Sequence, residues 1–82
     1  MKQITYKAAT KLAATSVKQV LAAVGNEHLD LVRGHGYWYF IYDDVAKGRY
    51  DTKSVYVVLL RQLSIDQWAA EGREFVTELE SK

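Results

Sequence analysis

The chain has no cysteine, only two histidines and no long run of apolar residues. Without cysteine it can form neither a disulfide nor a thiolate metal site, and His28 and His35 alone are too few for most metal cages. Its longest apolar runs, residues 37–42 and 55–60, are six residues each, far short of the roughly 20 that a membrane helix needs. We therefore expect a soluble, cytoplasmic protein without metal or cofactor.

The length and charge of the chain limit the number of domains and the kinds of partner that we expect. Eighty-two residues allow a single domain, which we expect to span residues 1–82, and a core must form by apolar burial alone, since 49% of residues are hydrophobic and 12% aromatic. The net charge of +1 gives no overall attraction to nucleic acid. The charges are unevenly spread, however: residues 1–26 carry +4 and residues 64–82 carry −3.

Residues 6–24 show the periodicity of an amphipathic helix, with Thr5 predicted to cap its start and Gly25 its end. Its apolar side faces away from three lysines, namely Lys7, Lys11 and Lys18. A second helix is predicted to begin at Ser64, because Ser64 with Gln67 three residues later is typical of a capping box. Its apolar stripe consists of Ile65, Trp68, Gly72, Phe75, Val76 and Leu79.

Three strands are predicted between the helices, at residues 28–33, 37–43 and roughly 51–60. Glycine-containing turns at residues 34–36 and near Lys47 and Gly48 are short enough to make them an antiparallel meander. The predicted fold is therefore α+β, in the order helix, strand, strand, strand, helix (αβββα). Because each helix has one apolar stripe to bury, we expect both helices on one face of the sheet.

The predicted sheet has more aromatic and aliphatic side chains than one covered face can hold. A two-residue turn would place Leu31 opposite Trp38 and Leu29 opposite Phe40, whereas a turn one residue longer would exchange the two faces of the second strand. With the shorter turn the core contains Leu29, Leu31, Trp38, Phe40, Val55, Val57 and Leu59. Left on the other face are Tyr37, Tyr39, Ile41, Tyr56 and Val58.

Two interpretations of that second face stay open. Tyrosine tolerates half-exposure because its hydroxyl remains in water, so the face could be ordinary surface. Contiguous apolar patches also mark sites for partners, which favours a protein-interaction module that binds another protein or a second copy of itself, as a homodimer. The alternative function is nucleic-acid binding through basic residues on the first helix and hairpins, namely Lys7, Lys11, Lys18, Arg33 and Arg49.

Nothing in the sequence is typical of an enzyme or of a small-molecule site. Asp43 and Asp44 are adjacent, with Asp51 across the second hairpin, but neighbouring strand residues point to opposite faces and cannot easily converge. We expect these carboxylates to lie in a solvated turn. No phosphate-binding loop, dinucleotide-binding pattern, nucleophile elbow or metalloprotease helix is present.

The order of elements resembles the double-stranded-RNA-binding domain over nearly the whole chain. The segment from Arg33 to Gly36 is similar to that family's histidine-bearing loop, but the last helix begins Ser64-Ile65-Asp66-Gln67, without the family's lysine cluster. The resemblance therefore implies the topology and not RNA binding. The amino-acid sequence of residues 34–76 also resembles that of small bacterial proteins found on phages and plasmids, a group with no established activity. This resemblance implies an accessory protein of a mobile element.

Overall fold

The computed structural model describes residues 12–81 and confirms the predicted αβββα arrangement. Helix α1 spans Val17–Val24, and strands β1, β2 and β3 span Leu29–Arg33, Trp38–Asp44 and Arg49–Val55. Helix α2 spans Ile65–Glu80, and short 3₁₀ turns lie at Val45–Lys47 and Leu60–Gln62. The strands form one antiparallel sheet in the order β1-β2-β3.

The first helix begins later than predicted, so its predicted span of residues 6–24 is wrong for residues 12–16. Ser16 caps α1, with its hydroxyl accepting from the Gln19 backbone N–H at 3.2 Å. The Gln19 side-chain oxygen in turn accepts from the Thr15 N–H at 2.8 Å. The preceding segment pairs with the start of α2 instead, where Ala14 donates to the Leu63 carbonyl. The predicted cap Thr5 lies outside the described residues.

Both helices pack on one face of the sheet, as predicted, and α2 supplies more of the buried core side chains than α1. The predicted capping box at Ser64 and Gln67 is confirmed, with the Ser64 N–H donating to the Gln67 side chain at 2.9 Å. Trp68 is fully buried, and its ring lies edge-on to Phe40 at 6.0 Å between centroids. The buried core consists of Ala14, Val20, Leu29, Leu31, Phe40, Tyr42, Val55, Trp68, Phe75, Val76 and Leu79.

The register of the first hairpin differs from the predicted one by two residues. Leu31 lies opposite Phe40 and Leu29 opposite Tyr42, because the loop holds four residues, 34–37, and the Gly34 N–H donates to the Tyr37 carbonyl at 2.7 Å. A shift of two residues keeps every side chain on its face. The predicted core positions in β1 and β2 therefore hold, with Tyr42 joining them.

The third strand ends at Val55, so the predicted strand of residues 51–60 is wrong beyond that residue. The Gln62 side-chain oxygen accepts from the N–H groups of Val58 and Leu59 at 2.8 and 2.7 Å, which replaces strand pairing. The indole of Trp38 donates to the Val58 carbonyl at 3.1 Å. Leu59, predicted as core, is 39% exposed.

Gly72 allows α2 to lie close against α1 and the sheet. A Cβ atom at this position would stand 2.7 Å from Val24 Cγ2 and 3.3 Å from Phe40 Cε1. Real Cβ atoms do not approach carbon atoms to 2.7 Å, so a larger side chain would force the two helices apart.

We predict that Gly72→Leu lowers the free energy of unfolding by about 1–3 kcal/mol or more through overpacking. The matched control is Ala70→Leu on the exposed side of the same helix, which should change it by no more than about 0.5 kcal/mol. Urea unfolding followed by tryptophan fluorescence measures both. Equal stabilities of the two variants would contradict the close packing at Gly72.

Candidate functional site

No helix among residues 12–81 covers the second face of the sheet, which we call the open face. The alternation of side chains along each strand decides which residues lie on it. They are Asp30 and Val32 from β1, Tyr39, Ile41 and Asp43 from β2, and Tyr50, Thr52 and Ser54 from β3. Tyr39, Ile41 and Val32 are half-buried, whereas Tyr50 is 64% exposed.

Three tyrosine rings meet at one end of the open face and form what we call the tyrosine cluster: Tyr37, Tyr39 and Tyr56. The Tyr37 ring lies 5.9 Å from that of Tyr39 and 5.9 Å from that of Tyr56. Such centroid distances are in the range of favourable ring pairs. The Tyr37 ring also lies flat against Gly34, where a Cβ atom would come within 2.7 Å of it. Glycine at that position is what admits the ring.

The five residues predicted to contact a partner are only partly brought together. Tyr39 and Ile41 lie on the open face within β2. Tyr37 and Tyr56 join them from outside the strands, since Tyr37 belongs to the hairpin loop and Tyr56 follows the end of β3. Val58 does not join them, because its carbonyl accepts from Trp38, whose ring packs on Trp68 on the helix-covered side.

Six further residues of the open face were not predicted to contact a partner, namely Asp30, Val32, Asp43, Tyr50, Thr52 and Ser54. Val32 pairs with Tyr39, and Asp30 pairs with Ile41. The alternation in the first strand placed Val32 and Asp30 away from the core, so their position could have been found. Tyr50 could not, because the third strand was predicted to begin one residue after it.

The basic residues predicted to contact nucleic acid do not form one surface among the described residues. Arg33 pairs with Trp38 at one end of β2 and Arg49 with Asp44 at the other, which separates them by about 20 Å at 3.4 Å per residue. The Arg49 guanidinium donates to the Leu79 carbonyl at 2.7 Å. Lys18 is exposed on α1, and Lys7 and Lys11 lie outside the described residues.

The adjacent acids Asp43 and Asp44 lie on opposite faces, as predicted, but Asp44 is not solvated. It is only 3% exposed, and its carboxylate accepts from the Lys47 N–H at 3.3 Å, which caps the first 3₁₀ turn. His28 Nε2 lies 3.7 Å from the other carboxylate oxygen. The expectation of a solvated turn is therefore wrong for Asp44. Its carboxylate instead caps the 3₁₀ turn that connects β2 to β3.

The described residues also form two small cavities. Cavities of about 200 and 220 Å³ lie beside Leu60 and beside Arg73, and both are smaller than the roughly 300–1,000 Å³ of most ligand sites. Within residues 12–81 no three histidine, aspartate or glutamate side chains are grouped so that they could hold a metal ion. In the same range, no helix has the length and apolar character required to cross a membrane.

Comparison with known protein families, with curated proteins and with solved structures finds no match to this chain. The function must therefore be inferred from the geometry of the chain itself. The open face and its tyrosine cluster are a surface feature of the described residues that burial in the core does not explain.

Tyr42 is the one described group whose pKa is clearly displaced. Burial raises its pKa, and the nearby carboxylate of Asp44 raises it further. The unfolded chain releases this proton at about pH 10, whereas the folded protein holds it to higher pH. Above about pH 10 the unfolded state therefore binds fewer protons, and the free energy of unfolding falls as pH rises.

We predict that in Tyr42→Phe the free energy of unfolding falls less steeply as pH rises above about 10. Tyr50→Phe is the matched control, because it removes the same hydroxyl from a ring that is 64% exposed. Urea unfolding at a series of pH values from about 9 to 11 measures the slope. A slope unchanged by Tyr42→Phe and reduced by Tyr50→Phe would contradict the assignment.

Proposed function

We propose that this chain is a small, non-enzymatic protein-interaction module that binds a protein partner through its open face. The observation that carries the proposal is the tyrosine cluster, in which Tyr37, Tyr39 and Tyr56 pack at 5.9 Å on a sheet face that no described helix covers. Tyrosine is enriched where proteins bind each other, because it offers a large rigid ring at low entropic cost.

The exposure of Tyr56 and the packing within the loop of residues 34–37 support a surface that binds a partner. The side chain of Tyr56 is 84% exposed, so burial in the domain does not explain its place beside Tyr37. Because Gly34 has no side chain, the Tyr37 ring can lie directly against the loop. A set of rings held in place but left in contact with water loses little side-chain entropy when a partner covers it.

Nucleic-acid binding, the alternative function, has less support. A nucleic-acid site needs basic groups along a groove together with its aromatic rings. The Arg49 guanidinium donates to the Leu79 carbonyl near the C-terminal end of α2, and Lys53 lies 3.4 Å from Glu71. The tyrosine cluster and the described basic residues therefore do not combine into such a groove.

The resemblance to small phage and plasmid proteins suggests where such a module would act. We propose that it is a cytoplasmic accessory protein of a mobile element, which works by binding a host or defence protein. A membrane or a small-molecule substrate has no part in this proposal.

We predict that Tyr39→Lys and Tyr56→Lys each weaken partner binding by about tenfold or more, since buried interface tyrosines commonly contribute over 1 kcal/mol. Gly34→Ala should also weaken it, because the added methyl displaces the Tyr37 ring without adding charge. The control is Ala70→Lys, which adds the same charge on the exposed side of α2. Size-exclusion chromatography with light scattering gives the stoichiometry with a second copy or with a captured protein, and titration of that species gives the affinity. A monomer that captures nothing, or equal binding by Tyr39→Lys and Ala70→Lys, would refute the proposal.

A further inference from the structure

The open face carries negative charge and no positive charge among the strand residues that form it. Asp30 and Asp43 are both exposed and lie close to Ile41, one across from it and one two residues along β2. No lysine or arginine of the three strands lies on this face, because Arg33, Arg49 and Lys53 have the opposite parity. A face of charge −2 in a chain of net charge +1 selects for a cationic partner.

The edges of the sheet are less suited to binding than its face. In the antiparallel ladder, the N–H groups of Leu31 and Thr52 point away from β2. Each is taken by the carboxylate of the preceding residue, at 2.8 Å from Asp30 and 2.8 Å from Asp51. A partner strand would have to displace these carboxylates, so addition of a strand at either edge is disfavoured.

The size of the open face fits a single element of a partner. The seven residues of β2 give it a length of roughly 20–24 Å, and three strands give it a width of about 10 Å between the outer backbones. The flat area is then about 300–400 Å² with side chains, below the roughly 800 Å² per partner of a standard interface. One helix of about 10–12 Å diameter and about 14–16 residues matches these dimensions.

Resting on the proposed function, we propose that the open face binds a short amphipathic helix of another protein that carries arginine beside an apolar stripe. The stripe covers Val32, Tyr39 and Ile41, the arginines pair with Asp30 and Asp43, and the tyrosine rings offer cation–π contacts at the other end. A second copy of this chain does not fit as well. A two-fold contact of the open face with itself would bring four carboxylates together and supply no cation.

The test uses the full chain and two synthetic helical peptides of 16 residues. Both have leucine at spacings of three and four, and one carries arginine at the flanking positions where the other carries glutamate. We expect the arginine peptide to bind and to shift the amide resonances of Tyr39, Ile41 and Val32, and the glutamate peptide to bind at least about tenfold more weakly. Raising the salt concentration from about 50 to about 500 mM should weaken binding of the arginine peptide.

The matched variant is Asp30→Asn with Asp43→Asn, which removes both charges while an asparagine oxygen can still accept the Leu31 N–H. It should weaken the arginine peptide by roughly threefold to tenfold, as expected for two exposed ion pairs. Asp66→Asn with Glu74→Gln on the exposed side of α2 removes two charges elsewhere and should change the affinity by less than about twofold.

The outcomes separate this inference from the proposed function. If Tyr39→Lys abolishes binding but the two asparagine substitutions do not weaken it, the face binds protein and the charge assignment is wrong. If neither Tyr39→Lys nor the two asparagine substitutions weaken peptide binding, both proposals are overturned. Equal binding of the glutamate peptide, a dimer in light scattering that Tyr39→Lys dissociates, or a short RNA duplex that displaces the arginine peptide would each overturn the inference. So would contacts between residues 1–11 and Tyr39 in the nuclear Overhauser spectrum of the free protein.

Discussion

The packing of Trp68 against the sheet is the interaction on which the rest of the structure depends. Its ring is fully buried and lies edge-on to Phe40 and Trp38, at 6.0 and 6.4 Å, so α2 is fixed on one face. Its indole N–H donates to the Leu60 carbonyl at 2.7 Å, and this draws the chain after β3 toward the helix. Gly72, one turn later, lets α2 come close enough for these contacts. The short α1 fills the remaining part of the same face, through Val20.

Because the described helices lie on one side, β2 serves two purposes at once. Its residues alternate, so Phe40 and Tyr42 enter the core while Tyr39 and Ile41 remain on the open face. The aromatic run that looks excessive for one strand is therefore divided between the core and the open face. This division supports the proposal of a binding surface made from the central strand, which is hydrogen-bonded to a neighbour on each side, because groups already held in place lose less entropy on binding.

Local patterns predicted the order of elements and the faces of β1, whereas the faces of β2 depended on the length of the first turn, which the sequence left open. They could not predict interactions between distant parts of the chain. Hydrogen bonds from Trp38 and Trp68 to Val58 and Leu60 end β3 early, although the residues there are good strand formers. Likewise, residues 12–16 have helical periodicity but pair with the start of α2. The burial of Asp44 depends on the 3₁₀ turn that it caps, which no charge pattern reveals.

The register of β3 also decides the charge of the open face. Arg49 and Lys53 point to the helix-covered side, where one binds the Leu79 carbonyl and the other lies 3.4 Å from Glu71. A cation at the C-terminal end of a helix is stabilising because it opposes the helix dipole, so these contacts hold α2 in place. The same contacts remove two positive charges from the opposite face. A slip of one residue would move both bases to the open face and neutralise Asp30 and Asp43. The contacts of Arg49 and Lys53 with α2 therefore also keep the strand residues of the open face acidic, which is the charge that the proposed arginine-bearing partner requires.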